Sequence, residues 1–396
     1  MIRFILLILP FVLVTTHPSI VRAESAGTSN KDQVNGLDSA VEMMILERQI
    51  AGAVVLVSHK GRIIHHNAYG LKDIEDKEPM KKDSIFRIYS MTKPITSTAV
   101  MILAERGLVD LDAPVHHYIP QLRDLKVHGW KKRPPKTPVT IRHLLTHTAG
   151  LTYGFFSNTM VDKGYMKNHP LYSKSNQDFI DKLSQHPLLY QPGKKWHYSV
   201  ATDVLGHLVE AVSGQPLDVF FTENIFDPLD MTDTAFVLPV KKTHRFASSY
   251  GSNLKLVDRY KGSKFSQPKR IKSGGGGLTS TAQDYLRFCQ MLLNEGELNG
   301  KRILSADTVR EMTGNQLPKG VYAYRLFGFG YGFQVQLSDW GDKFIKGEYG
   351  WNGAASTHFW IVPSKELIVI ALSQRQPFSN ALKKKIKPLI YKQIGR

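Results

Sequence analysis

The sequence predicts an α+β fold, with an antiparallel sheet assembled from both ends of the chain, flanked by helices, and a mostly helical lobe between. Three observations carry this. Apolar runs bounded by turn signals occur near the N-terminus and return only near the C-terminus. The long span between them is patterned at helical spacing and broken by loops. Strand and helix signals nowhere alternate in the manner of a parallel βαβ sheet.

Residues 1–23 combine an early positive charge, Arg3, an apolar run from Phe4 to Val14 and the small-residue pattern Val21-Arg22-Ala23. That is the pattern of a secretory signal peptide, which makes the protein exported, periplasmic or secreted, and leaves 24–396 as the working domain. No later apolar run reaches the roughly 18 to 20 residues that a membrane span needs. Residues 37–48 read as a helix with Leu37, Val41, Met44 and Ile45 on one face. Residues 51–58 read as a buried strand, and Lys60-Gly61 turns it into a partner at 62–69. At the far end 355–362 and 367–372 read as strands, and 380–393 as an amphipathic segment. An α/β lobe is thus assigned to about 37–80 and 320–396, and a helical and loop lobe to about 90–312.

The chain carries 52 basic and 34 acidic side chains, a formal net charge of +18. No zinc finger, RNA-binding signature or aromatic-basic interleaving accompanies the lysine runs, so nucleic acid is not an expected partner. Peripheral attraction to an anionic envelope fits better. The lone cysteine, Cys289, lies in an apolar helical pattern and reads as core, with no intramolecular disulfide. His143 and His147 are spaced i, i+4 but lack the Glu of His-Glu-x-x-His, so both read as structural and no metal or other cofactor is implied.

The chemistry centres on Ser90-Met91-Thr92-Lys93. Ile95, Ala99, Ile102, Leu103 and Arg106 follow at the spacing of a half-buried helix, and Gly107 stops it. Ser90 and Lys93 therefore sit one turn apart on one face. A serine hydroxyl becomes a nucleophile when a neighbouring base takes its proton, and a neutral lysine can be that base. Ser-x-x-Lys also begins at Ser252 and Ser266, but the first lies in a polar turn and the second contains Pro268. On local sequence Ser90 is equally well a helix cap.

Two further stretches supply what acyl transfer through Ser90 would need. Tyr198 falls just before a helix with Leu205, Leu208, Val209 and Val212 on its apolar face, where its phenol is either a proton carrier or a packed loop residue. Glu348-Tyr349-Gly350-Trp351-Asn352-Gly353-Ala354 is either a glycine-rich turn or the start of an edge strand whose backbone N–H approaches a carbonyl. The run Ser273-Gly274-Gly275-Gly276-Gly277 lacks a Gly-Lys-Ser/Thr and reads as a loop lying close to another backbone or a ligand.

These stretches, with Phe86-Arg87-Ile88-Tyr89-Ser90-Met91-Thr92-Lys93-Pro94, His143-Leu144-Leu145-Thr146-His147-Thr148-Ala149-Gly150-Leu151 and Ser273 to Thr281, resemble the serine β-lactamase/penicillin-binding-protein superfamily. The similarity is to class C-like members, including family VIII-type esterases, D-aminopeptidases and DD-carboxypeptidases. It implies a β-lactamase/transpeptidase-like fold with Ser90 as nucleophile, Lys93 as proton acceptor and Tyr198 as the tyrosine of Tyr-x-Asn. It implies Trp351-Asn352-Gly353 at the Lys-Thr-Gly strand as substrate-binding residues, and the backbone N–H groups of Ser90 and Ala354 as oxyanion hole.

Two departures set the expected substrate. Val200 stands where the Tyr-x-Asn asparagine would be, and Trp351 where a lysine would hold a carboxylate. Lys272-Ser273-Gly274 matches the third motif in letters, but it runs into glycines and not a strand. The expectation is a secreted serine hydrolase acting on small or medium acyl esters. The alternatives are a DD-carboxypeptidase or weak β-lactamase acting on peptidoglycan-like amides, and a non-catalytic envelope-binding protein. Oligomeric state is not legible.

Overall fold

The computed structural model describes residues 34–129, 133–268, 271–341 and 343–395. The signal-peptide assignment to 1–23 lies outside them, as do Lys131 and Lys132. Among the described residues the main sheet has eight strands. β1 (Gly52–His59), β2 (Arg62–Asp73) and β3 (Glu78–Pro79) come from the N-terminal side. β4 (Gly328–Phe329), β5 (Gln334–Val335), β6 (Tyr349–Gly353), β7 (Thr357–Val362) and β8 (Leu367–Ser373) come from the C-terminal side. The order is β4-β5-β6-β7-β8-β1-β2-β3, and every neighbouring pair is antiparallel. β1 joins the two halves of the chain by pairing with β8 from Ala53↔Ser373 to His59↔Leu367.

Alternation along the central strands sends side chains to two separate cores. Val55 and Val57 of β1, Trp360 of β7 and Val369 of β8 meet α1 (Leu37–Leu46) and the C-terminal helix through Leu37, Val41, Leu382 and Ile386. Val54, Leu56, Phe359 and Ile370 point the other way. There they pack on α2 (Thr92–Glu105) and its neighbours α3 (Ala201–Ser213) and α4 (Ala282–Leu293). Both faces of these strands are covered, which is why they read as unbroken apolar runs. Cys289 is buried in α4, as its pattern indicates.

Several expectations need adjusting. The strand expected at 355–362 begins at Thr357, because Ser356 N–H donates to the Gly353 carbonyl (3.0 Å) and closes a turn after β6. β6 is not an edge strand along its whole length. β5 pairs with Tyr349 and Gly350 only, so Trp351 to Gly353 run past its end. The helix after Ser90 is not half-buried either. Every residue from Thr92 to Leu103 is buried, since α3 packs along α2 and the Ser90 turn and the segment after α3 close round it. Its polar positions are mostly Ser and Thr, small enough to pack and able to bond backbone, as Thr96 does to the Gly274 carbonyl (2.7 Å).

The C-terminal helix α5 (Ala381–Gln393) is tied to β6 by a buried charge. Glu348 accepts from Lys387 Nζ and from the Tyr391 phenol, each at 2.5 Å, with both members of the ion pair 6% exposed. Removing one partner of such a pair leaves a charge uncompensated in a low-dielectric site. Lys387→Met is therefore expected to cost about 3–5 kcal/mol. Urea denaturation would read this as a lower midpoint with an unchanged slope.

Candidate active site

Ser90 lies in a single 3-10 turn, Tyr89–Met91, that leads into α2. Tyr89 just before it has φ +41, a left-handed conformation that costs a residue with a Cβ about 1–2 kcal/mol. Such strain persists only where the surroundings enforce it. α2 begins at Thr92 and has no side-chain cap, so the Ser90 hydroxyl does not serve as one. The hydroxyl accepts instead from Lys93 Nζ (3.2 Å), with the Tyr198 phenol beside it.

Lys93 is fully buried. Its ammonium nitrogen donates to the Gly275 carbonyl (2.6 Å) and the Tyr153 phenol (2.9 Å), and lies 4.7 Å from the centre of the Tyr198 ring. No ion pair to a carboxylate is formed at this nitrogen among the described residues. Burial disfavours its charged form and brings its pKa down to about 7, against an opposing pull from Asp203. Burial does the reverse to Tyr198, holding its phenol well above the usual value, although bonds to Ser90 and Trp351 oppose the shift. Tyr153 is raised for the same reason. Lys93 thus becomes easier to deprotonate and the two phenols harder.

Tyr198 sits just ahead of α3, and Trp351 Nε1 donates to its oxygen (3.3 Å). His147 packs against its ring at 4.9 Å and meets Ser199 Oγ at 3.3 Å through Nδ1. Burial keeps that imidazole neutral. His143 caps its own short helix with Thr140, so each histidine has a place in the packing.

β6 reaches Ser90 because Gly353 carries no side chain. A Cβ there would stand 2.3 Å from the Ile88 carbonyl and 2.2 Å from Thr357 Oγ1. The exposed Ala354 follows directly, at the end of the strand. Trp351 faces Tyr198, and strand alternation turns the next side chain away. Asn352, expected to bind substrate, therefore directs its Oδ1 to His358 Nδ1 (2.8 Å) on the opposite face of the sheet. Its amide is not among the groups gathered at Ser90.

Two site residues escape the sequence reading. Tyr153 lies in a loop far along the chain from Lys93, with no periodicity to mark it. Asp203 looks like an ordinary acid in the first turn of α3, yet it is buried and accepts from Gly275 N–H (3.0 Å) and the Ser273 hydroxyl. The local pattern gave no signal for it, because Gly206, His207 and Glu210 follow it at helical spacing and place it on the polar side of the helix. Burial raises its pKa, with the Lys93 charge opposing. Gly275 has no room for a side chain, since a Cβ would lie 2.3 Å from Asp203 Oδ2. The glycine run is thus the close-approach loop the sequence suggests, and it sets the carbonyl that holds Lys93. Val200 is fully buried in the apolar core and brings no amide to the site. Tyr153 and the Gly275 carbonyl hold Lys93 in its place.

A β-lactamase family model matches residues 30–388. The chain belongs to the β-lactamase family. It is similar to Esterase EstB of Burkholderia gladioli, with 35% identity over 277 residues, 65% of this chain and 69% of that protein. An uncharacterized protein of Mycobacterium tuberculosis is 33% identical over 351 residues, 83% of this chain and 86% of its own length. In structure the chain resembles EstCE1, described as a hydrolase with promiscuous acyltransferase activity. The TM-score is 0.79 at 26% identity, covering 91% of this chain and 99% of that one. As a member of this family the chain is a serine hydrolase with the β-lactamase/transpeptidase-like α+β fold.

The closeness of β6 to the Ser90 turn can be tested directly. Gly353→Ala forces the strand off the Ile88 carbonyl, at an overpacking cost of about 1–3 kcal/mol. Thermal unfolding should show that loss, and labelling of Ser90 by a fluorophosphonate should slow with it.

Proposed function

We propose that the chain is an esterase that works through an acyl-enzyme on Ser90. One observation carries this reading. The Ser90 hydroxyl is held between an amine with a pKa brought down to about 7 and a phenol kept protonated.

In the neutral form Lys93 accepts the Ser90 proton as Oγ attacks the ester carbonyl. The oxyanion so formed is received by the backbone N–H groups of Ser90 and Ala354. The proton returns through Lys93 and the Tyr198 phenol to the departing alkoxide, so the alcohol leaves neutral. Water then attacks the acyl-enzyme, gives its proton to Lys93, and Ser90 recovers its own on release of the acid. The opposite pKa shifts favour Lys93 as base and Tyr198 as donor, a division of labour the sequence leaves open.

Trp351 supports ester over lactam or peptide. An indole, not an ammonium, is presented to the substrate at that position, so a substrate carboxylate gains no ion pair there. The resemblance to Esterase EstB points the same way. The leader-like pattern at 1–23 adds export to this reading.

Purified protein assayed on p-nitrophenyl esters, a chromogenic cephalosporin and D-Ala-D-Ala peptides should turn over the esters in clear preference. Ser90→Ala should bring ester hydrolysis to background. Lys93→Met and Tyr198→Phe should each lower kcat by about a hundred- to ten-thousand-fold. Peptide or lactam turnover exceeding that of esters would overturn the proposal.

A further inference from the structure

The segment from Leu151 to Ser175 puts five large apolar side chains in water. Phe155 is 60% exposed, Phe156 53%, Met160 69% and Met166 57%, and Tyr172 is more exposed still. Single apolar side chains at a surface need no explanation, but five from one short segment do. Packing of the segment on the rest of the molecule does not use them. In the helix Met160–Lys167 the buried residues are Val161, Asp162 and Tyr165, and both methionines stand outside that set.

The segment is folded on itself, which holds its start, its helix and its end together. Asp162 accepts from Thr152 Oγ1 (2.8 Å), Thr159 Oγ1 (2.6 Å) and Thr159 N–H (3.1 Å), joining the start to the helix. Gly154, at φ +83, lies over that helix, where a Cβ would stand 2.7 Å from the Tyr165 Cβ and 3.6 Å from the Met166 nitrogen. His169 Nε2 holds the Tyr153 carbonyl at 3.0 Å, and its ring packs on Tyr172 at 5.1 Å. Phe155 and Phe156 lie 4.7 Å apart between ring centres, and Phe156 lies 5.8 Å from Tyr198. The apolar patch thus borders the mouth of the site. Held in this way, it loses little freedom when something covers it.

The exposed charge of the segment has one sign. Lys163, Lys167 and Lys174 face water, while its single acid, Asp162, is buried. The next acid along the chain, Asp178, is paired with Lys182 at 3.1 Å. Apolar side chains with lysines beside them suit a bilayer surface. The rings and thioethers enter the headgroup boundary, and the ammonium groups stay with anionic lipid. A second copy of the chain suits the patch less, because a two-fold interface would set lysines against lysines.

We propose that the 151–175 segment docks the protein on an anionic lipid bilayer, with the mouth of the site at the lipid surface. Esters dissolved in the bilayer then reach Ser90 without crossing water. That second statement rests on the esterase reading; the docking itself does not.

Sedimentation of the full chain with vesicles of phosphatidylglycerol and phosphatidylcholine reads the docking. The chain should pellet with them at about 0.1 M salt, and less at about 0.5 M salt or on phosphatidylcholine alone. Met160→Gln/Met166→Gln and Lys163→Gln/Lys167→Gln should each lower the partition coefficient about tenfold or more, and Lys163→Arg/Lys167→Arg should keep it. Cys289 is buried, so a fluorophore can be placed at a new cysteine. At Met160→Cys its emission should shift to the blue on vesicles, and at Lys385→Cys, on the exposed side of α5, it should not. No binding by the parent, parent-like binding by both glutamine variants, or a shift at Lys385→Cys instead overturns the proposal. So does a dimer that comes apart in the methionine variant while vesicles are ignored. Hydrolysis of p-nitrophenyl laurate carried in the vesicles should fall about tenfold in the methionine variant, with p-nitrophenyl acetate in solution unchanged. Docking without ester turnover by the parent removes the esterase reading and leaves the docking face; ester turnover without docking removes the face alone.

Discussion

The site depends on where the Lys93 amine is kept. Twelve consecutive buried residues of α2 carry it into the interior, and there it meets a carbonyl, a phenol and a serine hydroxyl with no carboxylate in direct contact. A lysine on the surface would stay charged near its ordinary pKa of about 10.4 and would be useless as a base near neutrality. Burial without an ion pair removes that charge preference. Asp203 sits close enough to act through the field, while its Oδ1 accepts from Gly275 N–H and the Ser273 hydroxyl. The carboxylate thus shapes the loop that holds the lysine without pairing with it.

The rest of the fold can be read as support for that placement. α4 lies against β8 and β1, α3 packs along α2, and Thr96 fixes α2 to the glycine loop. β6 is driven against the Ser90 turn by a glycine where any side chain would collide, and the turn itself begins with a strained tyrosine. On the opposite face the buried Glu348–Lys387 pair anchors α5. The catalytic face is left almost wholly aromatic and carbonyl-lined.

Much of this was legible before any coordinates. β1, β7 and β8 are long apolar runs, and β2 is marked by the Lys60-Gly61 turn that follows β1. The two-residue strands β3, β4 and β5 were not legible, because two residues carry no period and pairing alone defines them. In the site, Ser90 and Lys93 announced themselves by spacing, and Tyr198 and Trp351 through the family resemblance. Tyr153 and Asp203 did not, since one is a loop residue and the other resembles a routine helix-start acid. Asn352 was misplaced because a motif names three consecutive residues while a strand shows only alternate ones to each face. The full burial of α2 was also hidden, because Thr and Ser count as polar in a pattern yet are small enough to pack in a core, where Thr96 bonds to the Thr92 and Gly274 carbonyls.

The central claim, that burial turns Lys93 into the base, is tested most directly by the pH dependence of fluorophosphonate labelling at Ser90. Only the neutral amine accepts the proton, so the rate should rise with pH, level off above a single apparent pKa near 7, and show no descending limb where Tyr198 stays protonated. The same limb should persist in Tyr198→Phe at a lower plateau. A limb that vanishes with the phenol, or one that appears only near the ordinary lysine pKa of about 10.4, would contradict the account.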